Sequence, residues 1–329
     1  MYLVWHMYFK MHEPPRGSGH PESPVRLELL SRGLKSYGLW GVVERVSPRL
    51  GDVGLFRRVH DSLYIDELVS ELEIVLDTFF IDPDTYVSPG TMQAIQALAG
   101  AVLASLDLVD SGSVFIAGRP PGHHAGVAGP GLGALTQGFC LVNTAALLAD
   151  MLAGRGRVAV LDFDVHHGNG TQEILLERPS ILHVDLHQDY RTIYPWTGDP
   201  GLRGGGNLVN INLPPGAGDD VYMDALGVVE EVLEEWGPEY LVVSAGFDAY
   251  RGDNSFAGLR LSSASFHRLG RLASRYRVVA VLEGGYGAGL ERGAPAFIAG
   301  LLGRDDPVED EATSSGGDVW SRWEAVRPR

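Results

Sequence analysis

The stretch Val158 to Gly170, V-A-V-L-D-F-D-V-H-H-G-N-G, joins an apolar run to two aspartates, two histidines and a glycine turn. Asp162, Asp164 and His166 fall on every second position. On a strand that spacing puts all three on one face, with consecutive members about 6–7 Å apart. An unpaired buried carboxylate is strongly unfavourable, so acids in such a run need a partner. Three side chains so spaced do not easily reach one ion together, but the two at the strand's end do. Asp164 and His166 are therefore read as metal ligands, and Asp162 as a deeper carboxylate behind them. A turn with an incidental histidine pair would leave both acids buried without compensation.

Three further strand ends carry residues of the same kind. Val114 to Ala117 runs into R-P-P-G-H-H-A, where two prolines and a glycine fix the backbone just before His123 and His124. Leu241 to Ala245 ends in G-F-D, which places Asp248 just past its end, and Val278 to Leu282 ends in E-G-G-Y with Tyr286. Asp164, His166 and Asp248 make a one-histidine, two-carboxylate set with room for water. That set suits zinc in a catalytic site with an open position, and ferrous iron takes similar ligands. A tyrosine and two histidines beside an open metal site are the parts of metal-assisted hydrolysis. His12 and His20, in the loop H-E-P-P-R-G-S-G-H-P-E-S-P, read instead as surface or loop-anchoring residues. The glycines Gly204 to Gly206 are not a phosphate loop, because no G-K-[ST] follows.

The elements that must position these groups follow from periodicity and turn chemistry. The pattern predicts an edge strand over Val4 to Phe9 and a helix from Val25 to Tyr37. It predicts a helix within Val59 to Asp77 with Ser62 as N-cap, a turn-rich loop over Asp82 to Thr91, and a helix from Thr91 to Val109. Gly131 to Gly138 reads as a flexible loop, leading into a buried helix at G-F-C-L-V-N-T-A-A-L-L-A. Further helices are expected at Gly168–Glu177, Asp219–Trp236, Ser262–Tyr276 and Ala288–Leu302. Strands are expected at Ile181–His187, with Asp185 inside it, and at Leu208–Leu213. Helices alternating with apolar, unalternating strands mean a parallel sheet covered on both faces. Ligands then bind beyond the carboxyl ends of the strands, where the four polar strand ends converge.

Composition bounds the class. With 329 residues, 45% of them hydrophobic, the chain has ample core for one large or two ordinary domains. A net charge of −16 argues against nucleic acid as a partner. The single cysteine, Cys140, excludes an intramolecular disulfide and a cysteine-based zinc cluster, and fits a reducing, cytoplasmic setting. No signal peptide is read at the apolar start, no run is read as long enough to span a membrane, and no membrane partner is expected.

The motifs R-P-P-G-H-H-A, G-F-C-x-x-N, D-F-D-V-H-H-G-N-G-T, S-A-G-F-D-A-Y-R-G-D and L-E-G-G-Y, with H-P-E-S-P-x-R-L near the start, resemble the histone deacetylase superfamily. That superfamily includes acetylpolyamine amidohydrolases and acetoin-utilisation proteins. The resemblance runs from about residue 6 to residue 303. It implies an arginase/deacetylase-like three-layer α/β fold with a central, mainly parallel eight-stranded sheet. Residues 1–303 would form one catalytic domain, and 304–329 a polar, exposed extension pinned in part by Trp320 and Trp323.

The resemblance also assigns roles. Asp164, His166 and Asp248 match the metal ligands, and His123 and His124 the catalytic histidine pair. Asp162 matches the carboxylate that holds His123, and Asn169 the residue that holds His124, where some relatives have aspartate. Tyr286 matches the tyrosine that polarises the substrate carbonyl. Phe139, preceded by Gly138, and Tyr194 match the aromatic walls of an acyl-lysine tunnel. Arg26 matches an arginine beside an exit channel for acetate. Asp162, Asp164, His166, Asp185 and Leu186 match a structural K+ or Na+ site, with Asp185 standing where relatives often have serine. Ser255, with Phe256 next, stands where the polyamine-selective branch has a glutamate. The implied activity is zinc-dependent removal of acetyl or similar acyl groups from a lysine side chain, in a peptide or protein. The alternative substrate is an acetylpolyamine or another small acylated amine. A di-manganese ureohydrolase is disfavoured by H-H-G-N-G and Tyr286. A non-catalytic acyl-binding module would not need the full set of groups.

Overall fold

The computed structural model describes residues 1–253, 255 and 257–328. Eight strands form one sheet: β1 (Tyr2–Val4), β2 (Glu44–Val46), β3 (Val114–Ile116), β4 (Val158–Asp162), β5 (Ile181–Gln188), β6 (Leu208–Leu213), β7 (Tyr240–Ala245) and β8 (Arg277–Leu282). Their spatial order is β6-β5-β4-β7-β8-β3-β1-β2, and every neighbouring pair is parallel. Every residue of β4, β5 and β7 is buried. Both faces of the sheet's centre are therefore covered, as the unalternating apolar runs require.

The helices are α1 (Val25–Ser36), α2 (Ser62–Ile74), α3 (Thr91–Leu108), α4 (Thr144–Ala153), α5 (Asn169–Leu176), α6 (Asp219–Trp236), α7 (Ser263–Ala273), α8 (Ala294–Leu301) and α9 (Gly317–Val326). Helix α4 packs on β4, β7 and β8, and α3 on β1 and β3. Helices α7 and α8 pack on each other, with α1 against α8 and α6 against α7. The strand order reverses at β4: the chain runs outward through β5 and β6, then returns to β7 on β4's other side. A crevice opens at such a reversal. It lies between the two strands whose ends carry Asp164, His166 and Asp248.

Several boundaries differ from the sequence pattern. The first strand is Tyr2–Val4, inside the sheet between β3 and β2, and not an edge. The chain then turns through a 3-10 segment, Met7–Lys10, because the His6 ring accepts the N–H of Tyr8. β2 is only three residues, E-R-V, too short for a periodic signal. Helix α2 is capped by Asp61, whose carboxylate accepts the N–H of Leu63, and Ser62 lies inside it. The helix expected from Gly138 begins only at Thr144, where the Asn143 side chain accepts the N–H of Ala146. Residues 138–142 are thereby left as loop beneath the strand ends. The closing helix begins with a π-helical turn, Gly289–Gly293.

Helix α3 is long and apolar enough to cross a membrane by composition, contrary to the reading that no run is; here 61% of it is buried within the fold. The C-terminal segment is also less exposed than its polarity suggests. Trp323 is fully buried, and its indole donates to Asp224 at 2.7 Å. Trp320 donates to Asp220 at 3.0 Å, while Thr313 bonds Asp219. Three aspartates in the first turns of α6 thus hold the tail.

Candidate active site

The expected strand ends do converge. A cavity of about 290 Å³ lies beyond β3, β4, β7 and β8, lined among others by His123, His124, Asp164, His166, Gly138, Phe139, Tyr194, Ser255 and Tyr286. Asp248 stands directly behind this wall, buried and in contact with His166. Phe256 lies outside the described residues.

Asp164, His166 and Asp248 bring one oxygen, one nitrogen and one oxygen to within 4.8 Å of one another. His166 Nδ1 is 3.1 Å from Asp164 Oδ1 and 3.1 Å from Asp248 Oδ2. The other carboxylate oxygens are engaged. Asp164 Oδ2 accepts the N–H of Gly284 at 2.7 Å, and Asp248 Oδ1 accepts that of Val165 at 3.1 Å. Asp248 Oδ2 is buried and has no aligned hydrogen bond, despite the nearby imidazole. Two glycines make room for the cluster. A Cβ at Gly246 would stand 2.1 Å from Asp164 Oδ2, and one at Gly284 2.5 Å from Asp248 Oδ2. Two converging carboxylates, an imidazole and an orphaned buried oxygen fit a divalent cation with mixed N/O preference.

The histidine pair is held by two different partners. The rings lie 4.0 Å apart between centroids. His123 Nδ1 is 3.0 Å from Asp162 Oδ2, and His124 Nδ1 is 2.6 Å from Asn169 Oδ1. Burial by itself would lower the pKa of both. At His123 the carboxylates of Asp162 and Asp164 outweigh burial and raise it well above the ordinary value. At His124 burial, together with the charges of His123 and His166, lowers it well below. Neighbouring groups pushed in opposite directions are suited to different protonation duties.

Tyr286 lines the cavity, with its ring 5.9 Å from that of Phe139 and the Arg26 guanidinium 4.9 Å above it. Arg26 Nε donates to Gly285 O at 2.7 Å, and Nη2 to Glu283 O. Phe139 sits at φ 71°, a strained conformation for an aromatic residue, with its N–H on Thr85 Oγ1 at 3.1 Å. The Tyr194 hydroxyl donates away from the cavity, to Thr136 O at 2.8 Å. Ser255 Oγ donates to Asp248 O at 2.7 Å.

Asp162 and Asp185 stand in register on β4 and β5, both fully buried, and Leu186 follows in the same strand. Sequence reading did not single out His183. It joins this pair as a third group within 4.8 Å, and neither of its ring nitrogens has a hydrogen-bond partner.

His12 and His20 do anchor loops, but His12 is not at the surface. It is buried, stacked on Tyr86 at 4.2 Å and bonded to Thr91. Three further acids bear on the site. Glu22 binds Arg119 through Nε and Nη2, at 2.6 and 2.7 Å. Glu283 Oε2 accepts the N–H groups of Gly122 and His123, at 2.7 and 3.2 Å. Asp84 lines the cavity and accepts the Thr136 hydroxyl at 2.6 Å.

Comparisons with known proteins agree with this geometry. The family model for the histone deacetylase domain matches residues 20–301. The chain is 36% identical over 292 residues to a histone deacetylase-like amidohydrolase of Pseudomonas aeruginosa, covering 83% of this chain and 74% of that protein. The crystal structure of the HDA15 HD domain superposes with a TM-score of 0.82 at 30% identity, over 92% of this chain and 91% of that one. An acetylpolyamine aminohydrolase from Burkholderia pseudomallei does so with 0.79 at 28% identity, over 92% and 98%. With the arginase/deacetylase-like α/β sheet described above, these matches show that the chain is a deacetylase-type hydrolase belonging to the histone deacetylase family.

Proposed function

We propose that the chain is a zinc-dependent amidohydrolase that removes acetyl or similar acyl groups from an amine, with acetyl-lysine peptides as the leading substrates. The observation that carries this reading is that an Asp–His–Asp cluster with both carboxylates buried, a histidine pair and a tyrosine meet at one cavity. Asp164, His166 and Asp248 would hold the ion, zinc by preference and ferrous iron as the alternative. A divalent ion there acts as a Lewis acid toward the amide carbonyl and makes water easier to deprotonate.

The chain's own residues supply the rest. Asn169 Nδ2 donates to Gly131 O at 2.6 Å, which turns Oδ1 toward His124. His124 therefore carries its hydrogen on Nδ1 and presents an unprotonated Nε2. In this reading Nε2 takes the proton from the attacking water and later passes one to the leaving amine. His123, held by Asp162, keeps positive charge beside the site. The Tyr286 hydroxyl donates to the oxyanion that develops on the amide oxygen. Phe139 and Tyr194 wall the alkyl arm of the substrate, with Gly138 and Ser255 beside them.

The deeper pair Asp162 and Asp185, with Asp164, His166 and Leu186, is assigned to a structural K+ or Na+. Two fully buried carboxylates in register on adjacent strands support this, because a cation between them would offset their mutual repulsion. The buried, unpaired thiol of Cys140 fits a cytoplasmic setting.

Turnover of a fluorogenic acetyl-lysine peptide by the zinc-loaded protein tests the proposal. Hydrolysis abolished by chelation and restored by zinc is the expected result. No turnover of this peptide, of longer acyl-lysines or of acetylated polyamines would overturn it.

A further inference from the structure

Tyr286 lies in E-G-G-Y-G-A-G, a seven-residue segment with four glycines, two of them flanking the tyrosine. Glycine-dense backbone loses the most conformational freedom on ordering, so something outside the segment must hold it. On one side Arg26 binds Gly285 O and Glu283 O. On the other side stands Asp253, in the loop that follows Asp248. Its Oδ1 accepts the N–H of Tyr286 at 2.9 Å, and its Oδ2 accepts that of Gly289 at 2.8 Å. One carboxylate thus fixes the tyrosine's own amide and the amide that opens the helical turn Gly289–Gly293. The fit is close: a Cβ at Gly289 would stand 1.8 Å from Phe247 O and 3.0 Å from Asp253 Oδ2. The Asp253 N–H in turn donates to Tyr250 O at 3.0 Å, which closes the loop on itself.

We infer that Asp253 is a positioning residue for Tyr286, tying the tyrosine's backbone to the loop that carries Asp248. This rests on the reading of Tyr286 as the oxyanion donor. Asparagine cannot replace the carboxylate, because one of its two terminal atoms is an amide nitrogen and would face an N–H. The tyrosine would keep its hydroxyl but lose its placement, and small misplacements of catalytic groups cost up to about 10²-fold in rate. The carboxyl pKa is consistent with a group sequestered to do this. Burial pushes it up to about 6, against the pull of the Tyr286 and Gly289 amides and with a further push from Asp248.

The test is a double-mutant cycle on the zinc-loaded enzyme with Asp253→Asn, Tyr286→Phe and both together, reading kcat, KM, zinc content and melting temperature. Asp253→Asn alone should lower kcat about 10–100-fold, with KM within threefold and zinc unchanged. In the Tyr286→Phe background the same change should cost less than twofold, because there is no hydroxyl left to misplace. Should Asp253→Asn fail to fold, Asp253→Glu, which keeps the charge on a longer arm, is put through the same cycle with the same expectation. Losses that multiply in the double variant, or a kcat within threefold of wild type for the single one, would overturn the inference and leave the deacetylase reading standing. Near-normal kcat for Tyr286→Phe would instead overturn the role of Tyr286, and the inference with it.

Discussion

The Nδ1 of His124 lies 2.6 Å from the Oδ1 of Asn169, an amide in the place where its neighbour His123 has a carboxylate. The amide fixes the tautomer without adding charge, and the His124 pKa stays low under burial and the charge of His123. Asn169→Asp would put an anion at hydrogen-bond distance, which raises a histidine pKa by about 1–3 units. A general base works only when unprotonated, so the acid limb of kcat/KM should move to higher pH by a similar amount. A pH–rate profile of the variant that superimposes on wild type would remove His124 from the role of base.

In the proposed metal site Asp248 offers one of three ligand atoms, an otherwise unbonded buried oxygen. Three protein ligands are the usual complement of a catalytic zinc site. Asp248→Ala should therefore lose the ion, with one equivalent per chain in wild type and far less in the variant by elemental analysis. Zinc retained at wild-type affinity would sink the assignment.

Tyr286→Phe should fold normally, since the ring contacts with Phe139 and Arg26 remain. Removing one oxyanion donor costs about 10²–10³ in kcat, roughly 3–4 kcal/mol. The loss should fall on kcat rather than KM, because the bond strengthens as charge develops. Steady-state kinetics on an acetyl-lysine peptide separates the two.

Glu22, Arg119 and Arg26 are all buried. Burial pushes the Glu22 pKa up, but Arg119, with His12 and Arg26, outweighs it and holds the carboxyl far below its usual range. Its folded pKa thus lies below the unfolded value of about 4.3. The stabilisation is complete above that value and is lost as pH falls toward the folded pKa. Glu22→Gln leaves two buried guanidinium groups without their anion and should cost about 3–5 kcal/mol at pH 7. In urea titrations that deficit should begin to shrink below about pH 4. A deficit that is constant from pH 7 to pH 3 would mean packing, not charge, is what Glu22 contributes.

The resemblance sets Ser255 where a polyamine-selective site has glutamate, and its hydroxyl is spent on Asp248 O. It offers no carboxylate to a distant ammonium, where a charged hydrogen bond would be worth about 1.5–3 kcal/mol, or about 10–100-fold in selectivity. Acetyl-lysine peptides should therefore be turned over at least as efficiently as acetylated spermidine. Comparing kcat/KM at one pH and ionic strength decides it. A tenfold preference for the polyamine would point to Asp84, which lines the cavity along with Asp164, and Asp84→Asn should then abolish that preference.

Much of this was legible in the residues alone, for reasons of period and local chemistry. A strand's two-residue repeat put Asp162, Asp164 and His166 on one face. Apolar runs ending in H-H, D-x-H, F-D and G-Y marked four strand ends, and parallel strands must present those ends on the same side of the sheet. What the order of the strands would be did not follow from any of them taken singly. Only the folded sheet sets β4 beside β7, so that Asp248 reaches His166 across 82 positions of chain. The same holds for the groups that keep the site in shape. Glu283 grips the His123 loop from 160 residues away, Glu22 grips Arg119 from 97, and Asp253 grips Tyr286 from 33. Each stands in one of the quoted motifs, but no period or spacing assigns it a role, because its partner is a main-chain amide or a distant guanidinium. His183 escaped notice in the same way, its nearness to Asp162 being a matter of strand register. Periodicity reports which side of an element a residue faces. Only tertiary packing, which closes loops of tens to hundreds of residues, decides what that residue meets there.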